Sequence, residues 1–416
     1  MQADVVVIGA GAFGLSTALH CALLGRSVIV VERDTAGSQA SGRAAGLFKS
    51  VQGDALRTAL ARRSIDQVLT FGDWAGVPLD VARSGSFLVA RTDQHRAYLL
   101  TEAAQSRGWG ADVCEASQAD LAGRVSYYRG SADDLALWCP EDAYIEEPMS
   151  LVQAYLAACK QHGAEVLESE AVVGVTMSAG RVTGVETTAR SITCAVAVDA
   201  AGAWTRQVAE LAGGQVAVAP VRHQLLITEP SAGLDPGEPI TRVVDAAVYL
   251  RPARGGLMFG GFEAAPVPVD PREQPPSFRT ADLALDLGVL RQMAGQVAAE
   301  VPLASTGQIA EHRGGMFTMS PDGRFVTGPV PDVPGLWVAS GCNGSGFSSS
   351  PAIGEALASW ITSGSAPGGV DALGFEALGF EALAPDRFGA VTDAALIRDG
   401  MWQYAHYYDP ASAITQ

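Results

Sequence analysis

Between Val5 and Glu32 the chain reads as strand, glycine turn, helix and strand, and this unit restricts the possible folds more than any other feature. DVVVIGAG carries an apolar run into Gly9, Gly11 and Gly14, spaced G-x-G-x-x-G; FGLSTALHCALLG has helical periodicity up to Gly25; SVIVVE is a second apolar run ending at Glu32. Strand, helix and strand in this order make a βαβ unit, which opens a parallel sheet of doubly wound α/β type. The first glycine permits the tight turn. The second lets a pyrophosphate approach backbone amides at the helix N-terminus, and the third allows close helix packing. Glu32 stands about twenty residues on, where a carboxylate can bond a ribose hydroxyl. The expected ligand is a dinucleotide, its identity left open by this motif.

The rest of the chain alternates between two kinds of segment. A helical stretch from Asp54 to Trp74 precedes the alternating run GSFLVAR, a strand. EEPMSLVQAYLAACKQHG reads as a helix stopping at Gly163, and AVVGVTM, RVTGVETT and CAVAVDAAGAW read as a β-meander returning to the parallel sheet. HQLLITE, AVYLRP and GLMFGGFE are further strands; a proline-rich loop from Pro266 to Pro276 leads to a helix near Ala281 to Val301. Nucleotide-type segments thus recur along the chain, and both domains are expected to be discontinuous. A Rossmann-like dinucleotide domain takes residues 1–80, 150–217 and 310–364, and a mixed β-sheet substrate domain takes 81–149 and 218–309. Residues 365–416 form a Gly/Ala-rich tail with the short repeat LGFEALGFEAL.

Composition excludes several classes of function. With 28 Lys and Arg against 45 Asp and Glu, the net charge is −17 without a basic block, so neither nucleic acid nor an anionic membrane surface is an expected partner. The six cysteines include no C-x-x-C pair, and the histidines lack ligand spacing; no metal site and no disulfide framework are expected. An apolar strand starts at Val5 after MQAD, and no apolar run is long enough to span a bilayer. A cytoplasmic protein is the expectation.

A second glycine-rich junction, VASGCNGSGFSSSPAIG, comes more than three hundred residues after the first. Gly341, Gly344 and Gly346 would expose amides at the start of a helix beginning near Ser350 and Pro351, and a helix dipole there favours partial negative charge.

Five stretches in order, VVVIGAGAFGLSTA, GSQASGRAAGL, EAVVGV, VDAAGAW and GSGFSSSPAIG, resemble the flavin-dependent family of D-amino-acid oxidase, glycine oxidase, sarcosine oxidase and dimethylglycine dehydrogenase. PVRHQLLIT, VYLRP and MFTMSPDGRFVTGP are nearest the sarcosine oxidase and dimethylglycine dehydrogenase branch. The resemblance implies FAD, held by Gly9, Gly11, Gly14 and Glu32, with Arg33 beside the adenine. It implies that Ser41, Gly42, Arg43, Ala44, Ala45, Gly46 and Leu47 run past the pyrophosphate towards the isoalloxazine. Val172 would bond adenine through its backbone; Ala201, Gly202 and Trp204 would line the cleft. Gly341, Gly344, Gly346, Phe347 and Ser348 would approach the flavin pyrimidine edge. Relatives that bind flavin covalently use a histidine that would fall at Arg43 or a cysteine that would fall at Gly315, so non-covalent FAD is expected. The lysine that promotes reaction with oxygen would fall near Phe259 and a substrate-clamping lysine at Ser348; their absence points away from fast oxygen use and from the small amino-acid substrate of monomeric sarcosine oxidase.

Three residues are candidates for catalysis. Lys49 is one of only two lysines in the chain and follows the flavin loop in GLFKS. A lysine is a compact point charge on a flexible stem, suited to developing negative charge or proton handling. Tyr249 in VYLRP and Glu263 in GGFE fall where relatives place active-site groups, and a carboxylate facing the flavin could attract a cationic amine. Arg222, His223, Arg251, His312 and Arg313 are weaker candidates. The expected reaction is oxidation of a C–N bond in a secondary or tertiary amine or amino acid, giving an imine, with oxygen or another acceptor taking the electrons. A 2-hydroxy-acid dehydrogenase and a flavin-binding assembly protein with little turnover remain alternatives on the same scaffold.

Overall fold

The computed structural model describes residues 1–367 and 379–409. Strand Val5–Ile8, helix Ala12–Leu23 and strand Val28–Val31 form the opening βαβ unit, with both strands wholly buried and paired in parallel. Val196–Asp199 pairs in parallel with Val5–Ile8, and Leu336–Ser340 with Val196–Asp199. Glu165–Leu167 adds beyond Val28–Val31, and Val326–Pro329 closes the opposite edge antiparallel, giving six strands.

One face of this sheet is covered by helices Ala12–Leu23, Pro148–Gln161 and Gly346–Ser363, whose Leu15, Leu19, Leu151, Tyr155 and Leu357 share one buried cluster with Val5, Val7, Val28 and Val30. The other face is covered differently. The meander Val172–Ser178, Arg181–Thr187 and Ser191–Thr193 lays Val182, Val185 and Ile192 on Val6, Ile8, Ile29 and Val31, and helix Thr205–Leu211 adds Val208 and Ala209.

A second sheet of eight strands carries the substrate side. Its order runs Ile309–Met319, Ala219–Thr228, Gly256–Gly261, Val248–Ala253, Ile240–Val243, Ser86–Ala90, Leu135–Cys139 and Cys114–Ala116. All pairings are antiparallel except Ile240–Val243 with Ser86–Ala90, so the sheet is mixed. Ile309–Met319 pairs with Ala219–Thr228 along its length. The boundary placed at 310 therefore cuts into this strand, and the dinucleotide sheet resumes at Val326.

Three further expectations change. The helix over 54–74 divides at Thr70 into Ala55–Leu69 and Phe71–Ala75, and the one over 281–301 narrows to Leu287–Gln296, followed by Pro302–Thr306. The helix expected near Ser350 starts at Gly346 and contains Pro351. Proline cannot donate to Phe347 O, four residues back; Ser350 Oγ donates to that carbonyl instead at 2.9 Å, so the helix passes through.

The first copy in LGFEALGFEAL lies outside the described residues, and the second forms a short turn at Phe380–Leu383. The last helix, Asp393–Ala405, is no loose tail. Leu396, Gly400 and Tyr404 are its buried residues, and Tyr404 packs with Val221, Phe262 and Met319 on the eight-stranded sheet.

Candidate active site

A cavity of about 440 Å³ runs from the first glycine turn, between the two sheets, to the C-terminal helix. Gly9 begins it with φ +106°, and a Cβ there would lie 2.6 Å from Ala200 O, so only glycine fits. Gly11 faces the cavity. A Cβ on Gly14 would stand 2.0 Å from Gly9 O, and Gly14 is absent from the lining; it is the packing glycine.

Glu32 is held in place by its neighbours. Its Oε2 accepts from Ala10 N at 2.8 Å and its Oε1 from Asp34 N at 2.9 Å. Burial raises its carboxyl above the ordinary range against both bonds. Carboxylate lone pairs remain for further donors, as a ribose requires. Arg33 stacks over Trp204, 4.4 Å from guanidinium carbon to ring centroid, forming one wall with Val172 and Val173. Opposite, Thr280 lines the cavity with its buried Oγ1 unpartnered.

The loop Ser41–Leu47 follows the lining, with Ser41 Oγ accepting from Ala12 N at 2.9 Å. Arg251 fixes its far end. This residue is fully buried and donates to Ala45 O and Glu146 O at 2.9 Å each and to Pro252 O at 2.7 Å, over the Tyr144 ring. It is a clamp for the loop, unlike the surface arginines usual beside strands.

At the other end the cavity widens into an aromatic chamber walled by Tyr249, Phe262, Phe317, Tyr407 and Tyr408. His223 lies among them, 4.2 Å from the Phe317 ring and nearly parallel to it. Its Nε2 meets Tyr249 Oη at 2.9 Å and its Nδ1 meets Tyr404 Oη at 2.7 Å. Burial pushes the imidazole down to about 3, so it is neutral at physiological pH. Arg313 forks onto Glu311 through Nε and Nη2, while its buried Nη1 has no partner. Lys49 Nζ donates to Tyr407 Oη at 2.6 Å. Among the described lining residues Glu32 is the sole carboxylate, and it belongs to the glycine-turn end.

Most of the expected cofactor residues line this one cavity: Gly9, Gly11, Glu32, Arg33, Ser41, Arg43 to Leu47, Val172, Ala201, Gly202, Trp204, Gly344 and Gly346 to Ser348. Gly42 and Gly341, like Gly14, lie behind it. A Cβ on Gly42 would meet Met149 Sδ at 2.3 Å, and one on Gly341 would meet Val326 at 2.7 Å, so both are packing positions. Of the catalytic candidates, Lys49 and Tyr249 line the chamber and Glu263 does not. Glu263 is buried, ion-paired to Arg222 at 2.8 Å and bonded by Gln224 Nε2 at 2.9 Å. Side chains alternate along extended backbone; Phe262 takes the chamber face and its successor the other. The same alternation puts Phe259 in the core with Leu226 and Leu250, so a missing lysine there leaves the chamber unchanged.

Sequence reasoning missed Thr280, Phe317, Tyr407 and Tyr408, and it ranked His223 too low. Alternation in PVRHQLLIT from buried Val221 would have placed His223 on the face of Leu225. No sequence signal ties YAHYYD to the chamber.

The residues present suit a flavin dinucleotide, with glycines where a Cβ would intrude, an acid positioned for ribose, and an uninterrupted cavity leading to an aromatic chamber. A family model described as "FAD dependent oxidoreductase" matches residues 4–360. The chain belongs to this family. It is 28% identical over 362 residues to 4-methylaminobutanoate oxidase (formaldehyde-forming) of Paenarthrobacter nicotinovorans, covering 86% of this chain and 43% of the relative. It is also 28% identical to human mitochondrial sarcosine dehydrogenase over 87% of this chain and 40% of that protein. The chain thus spans about two fifths of the length of these relatives. Its fold is shared by the crystal structure of L-proline dehydrogenase from P. horikoshii, with TM-score 0.81, 23% identity, and coverage of 93% and 98% of the two chains. Among the described residues no helix is long and apolar enough to cross a membrane, and no His, Cys, Asp and Glu grouping could hold a metal.

Proposed function

We propose that the chain oxidises the C–N bond of a secondary or tertiary amino acid, using non-covalent FAD, to an imine where the nitrogen has a proton to release and to an iminium where it has none. The observation that carries this reading is the chamber's charge: Lys49 and Arg313 line it, and among the described residues no carboxylate does. A protonated amine would be repelled there. A neutral amine is tolerated, and a substrate carboxylate is drawn to the unpartnered Nη1 of Arg313. FAD, when bound, would supply the hydride acceptor for the carbon beside nitrogen.

The protein's part is positioning and exclusion of water. With His223 donating from Nδ1 to Tyr404, its bare Nε2 accepts from Tyr249, leaving the Tyr249 oxygen free to accept an amine N–H. The low proton affinity of His223 makes this pair an orienting device rather than a proton store. Support for non-covalent binding comes from Arg43 and Gly315, which line the cavity and offer neither imidazole nor thiol.

Anaerobic mixing with N-methyl amino acids, carboxylate-free secondary amines and 2-hydroxy acids tests the reading through loss of the flavin's visible band. Bleaching by the N-methyl amino acids is expected. Bleaching by carboxylate-free amines alone would remove the Arg313 anchor, by hydroxy acids alone the C–N chemistry, and by none of the three the catalytic reading. Acid precipitation should release free FAD; flavin retained in the pellet would mean a covalent bond.

A further inference from the structure

The segment after the family match closes the chamber. Residues 4–360 match the family model, yet Tyr407 and Tyr408 from beyond that range line the cavity. Helix Asp393–Ala405 is tied at its start by Asp393, which pairs with Arg206 and with Arg272. At its end, Tyr404 bonds His223 and Tyr407 bonds Lys49. The Tyr407 ring lies flat on Phe262, 3.9 Å between centroids at 7°. Its edge reaches Gly344, where a Cβ would meet it at 3.3 Å, and its hydroxyl is 3.1 Å from Ser345 Oγ. One side chain thus touches the substrate sheet, the second glycine junction and the only lysine near the cavity among the described residues.

We propose that Tyr407 is a positioning residue for Lys49 and a wall of the substrate chamber, making Asp393–Tyr408 part of the active site. Lys49 has a flexible stem, and without the Tyr407 hydroxyl its ammonium would sample many rotamers. Held at 2.6 Å from that oxygen, and 4.7 Å from the ring centroid, it presents a fixed positive charge. The two groups share electrostatics in return: burial raises the Tyr407 phenol, but the Lys49 ammonium, its hydrogen bond and that of Ser345 bring it below the ordinary range. Arg57 acts in the same direction, and Glu102, Arg242, Tyr249 and Tyr408 are further charged and titratable groups around the pair.

The inference rests on the flavin-enzyme reading above, but its test does not need the amine substrate. Sulfite, an anion whose reversible adduct bleaches flavin, is titrated into the full-length holoprotein across pH. In the unaltered protein, affinity should fall as Tyr407 ionises, because a phenolate beside Lys49 cancels its charge. Tyr407→Phe keeps the ring and should lose that fall, while Lys49→Met should weaken sulfite binding about tenfold or more at neutral pH. Sulfite's own ionisation is common to every variant. Tyr407→Ala should open the chamber and raise iodide quenching of flavin fluorescence. An unchanged sulfite profile in Tyr407→Phe, or unchanged quenching in Tyr407→Ala, would overturn the proposal. If no amine reduces the flavin while these shifts appear, the substrate reading falls and this one stands.

Discussion

Tyr249 reaches His223 across a glycine. The strand Gly256–Gly261 lies between their strands, and Gly260 stands opposite Tyr249 in register. A Cβ on Gly260 would sit 2.3 Å from Tyr249 Oη, so the absent side chain is what lets phenol and imidazole meet at 2.9 Å. Tyr249→Phe should leave FAD bound and slow flavin reduction about tenfold or more, the value of one hydrogen bond realised in the transition state. Gly260→Ala should reproduce that loss while keeping the tyrosine. Stopped-flow reduction of both variants checks this; full rates in Gly260→Ala would show the pair to be dispensable.

The glycines of the first turn should separate by phenotype. Gly11→Val should yield a folded protein without FAD, because a Cβ there meets only Ser41 Oγ, at 3.2 Å, and Gly11 lines the cavity. Gly14→Val puts a side chain into Gly9 O and should destabilise the fold itself by about 3 kcal/mol or more. Flavin content after gel filtration, with circular dichroism, distinguishes the two; stoichiometric FAD in Gly11→Val would count against the site.

Arg251 links cofactor loop to substrate sheet. Replacing it with Met leaves Ala45 O and Glu146 O without their buried donor. The expected cost is about 2–4 kcal/mol in urea unfolding, together with weaker FAD retention on dialysis. Unchanged retention would show that the loop holds its shape unaided.

Stability should depend on pH through His20. It is buried against Trp74, 5.0 Å between ring centroids, and burial pushes it down to about 4. Above its ordinary value near 6.5 both folded and unfolded states keep it neutral. As pH falls from about 6.5 towards 4, the unfolded state takes up a proton the native state refuses, so stability is lost over that window, by about 3 kcal/mol for this group. His20→Phe keeps a ring there and should flatten the slope by roughly one proton. Urea midpoints between these pH values would read the difference, and an equal slope in both proteins would refute it.

How much was legible depended on whether the signal was local. Gly9, Gly11 and Glu32 are readable because a turn, an amide cradle and a strand end fix their roles within one βαβ unit. Lys49 could be placed at the cavity wall from the flavin loop before it, and Tyr249 from the position relatives give it. Glu263 misled because a single step along extended backbone exchanges chamber for core, and GGFE does not say which face Phe262 takes. Tyr407 was hidden for another reason: Lys49 lies 358 positions away, and only the packing of helix Asp393–Ala405 brings them together. All of the strand Ile309–Met319 but its first residue was placed with the dinucleotide domain because its apolar residues fit either sheet; ten residue pairs along Ala219–Thr228 join it to the eight-stranded sheet.

The order of the six-stranded sheet also sets a timetable. Val5–Ile8 and Val28–Val31 leave the ribosome well before the strand that covers the other edge of Val5–Ile8, Val196–Asp199. Those about 165 further residues take roughly 10–30 s to synthesise. Throughout that interval a fully apolar strand has one unpaired side, and a newborn chain with such an edge is open to association with its neighbours. The helix Gly346–Ser363, packed on Ala12–Leu23, arrives later still. Slower elongation lengthens the exposure and faster elongation shortens it, and a nascent-chain capture experiment should find the opening βαβ unit held by a chaperone until Val196–Asp199 emerges.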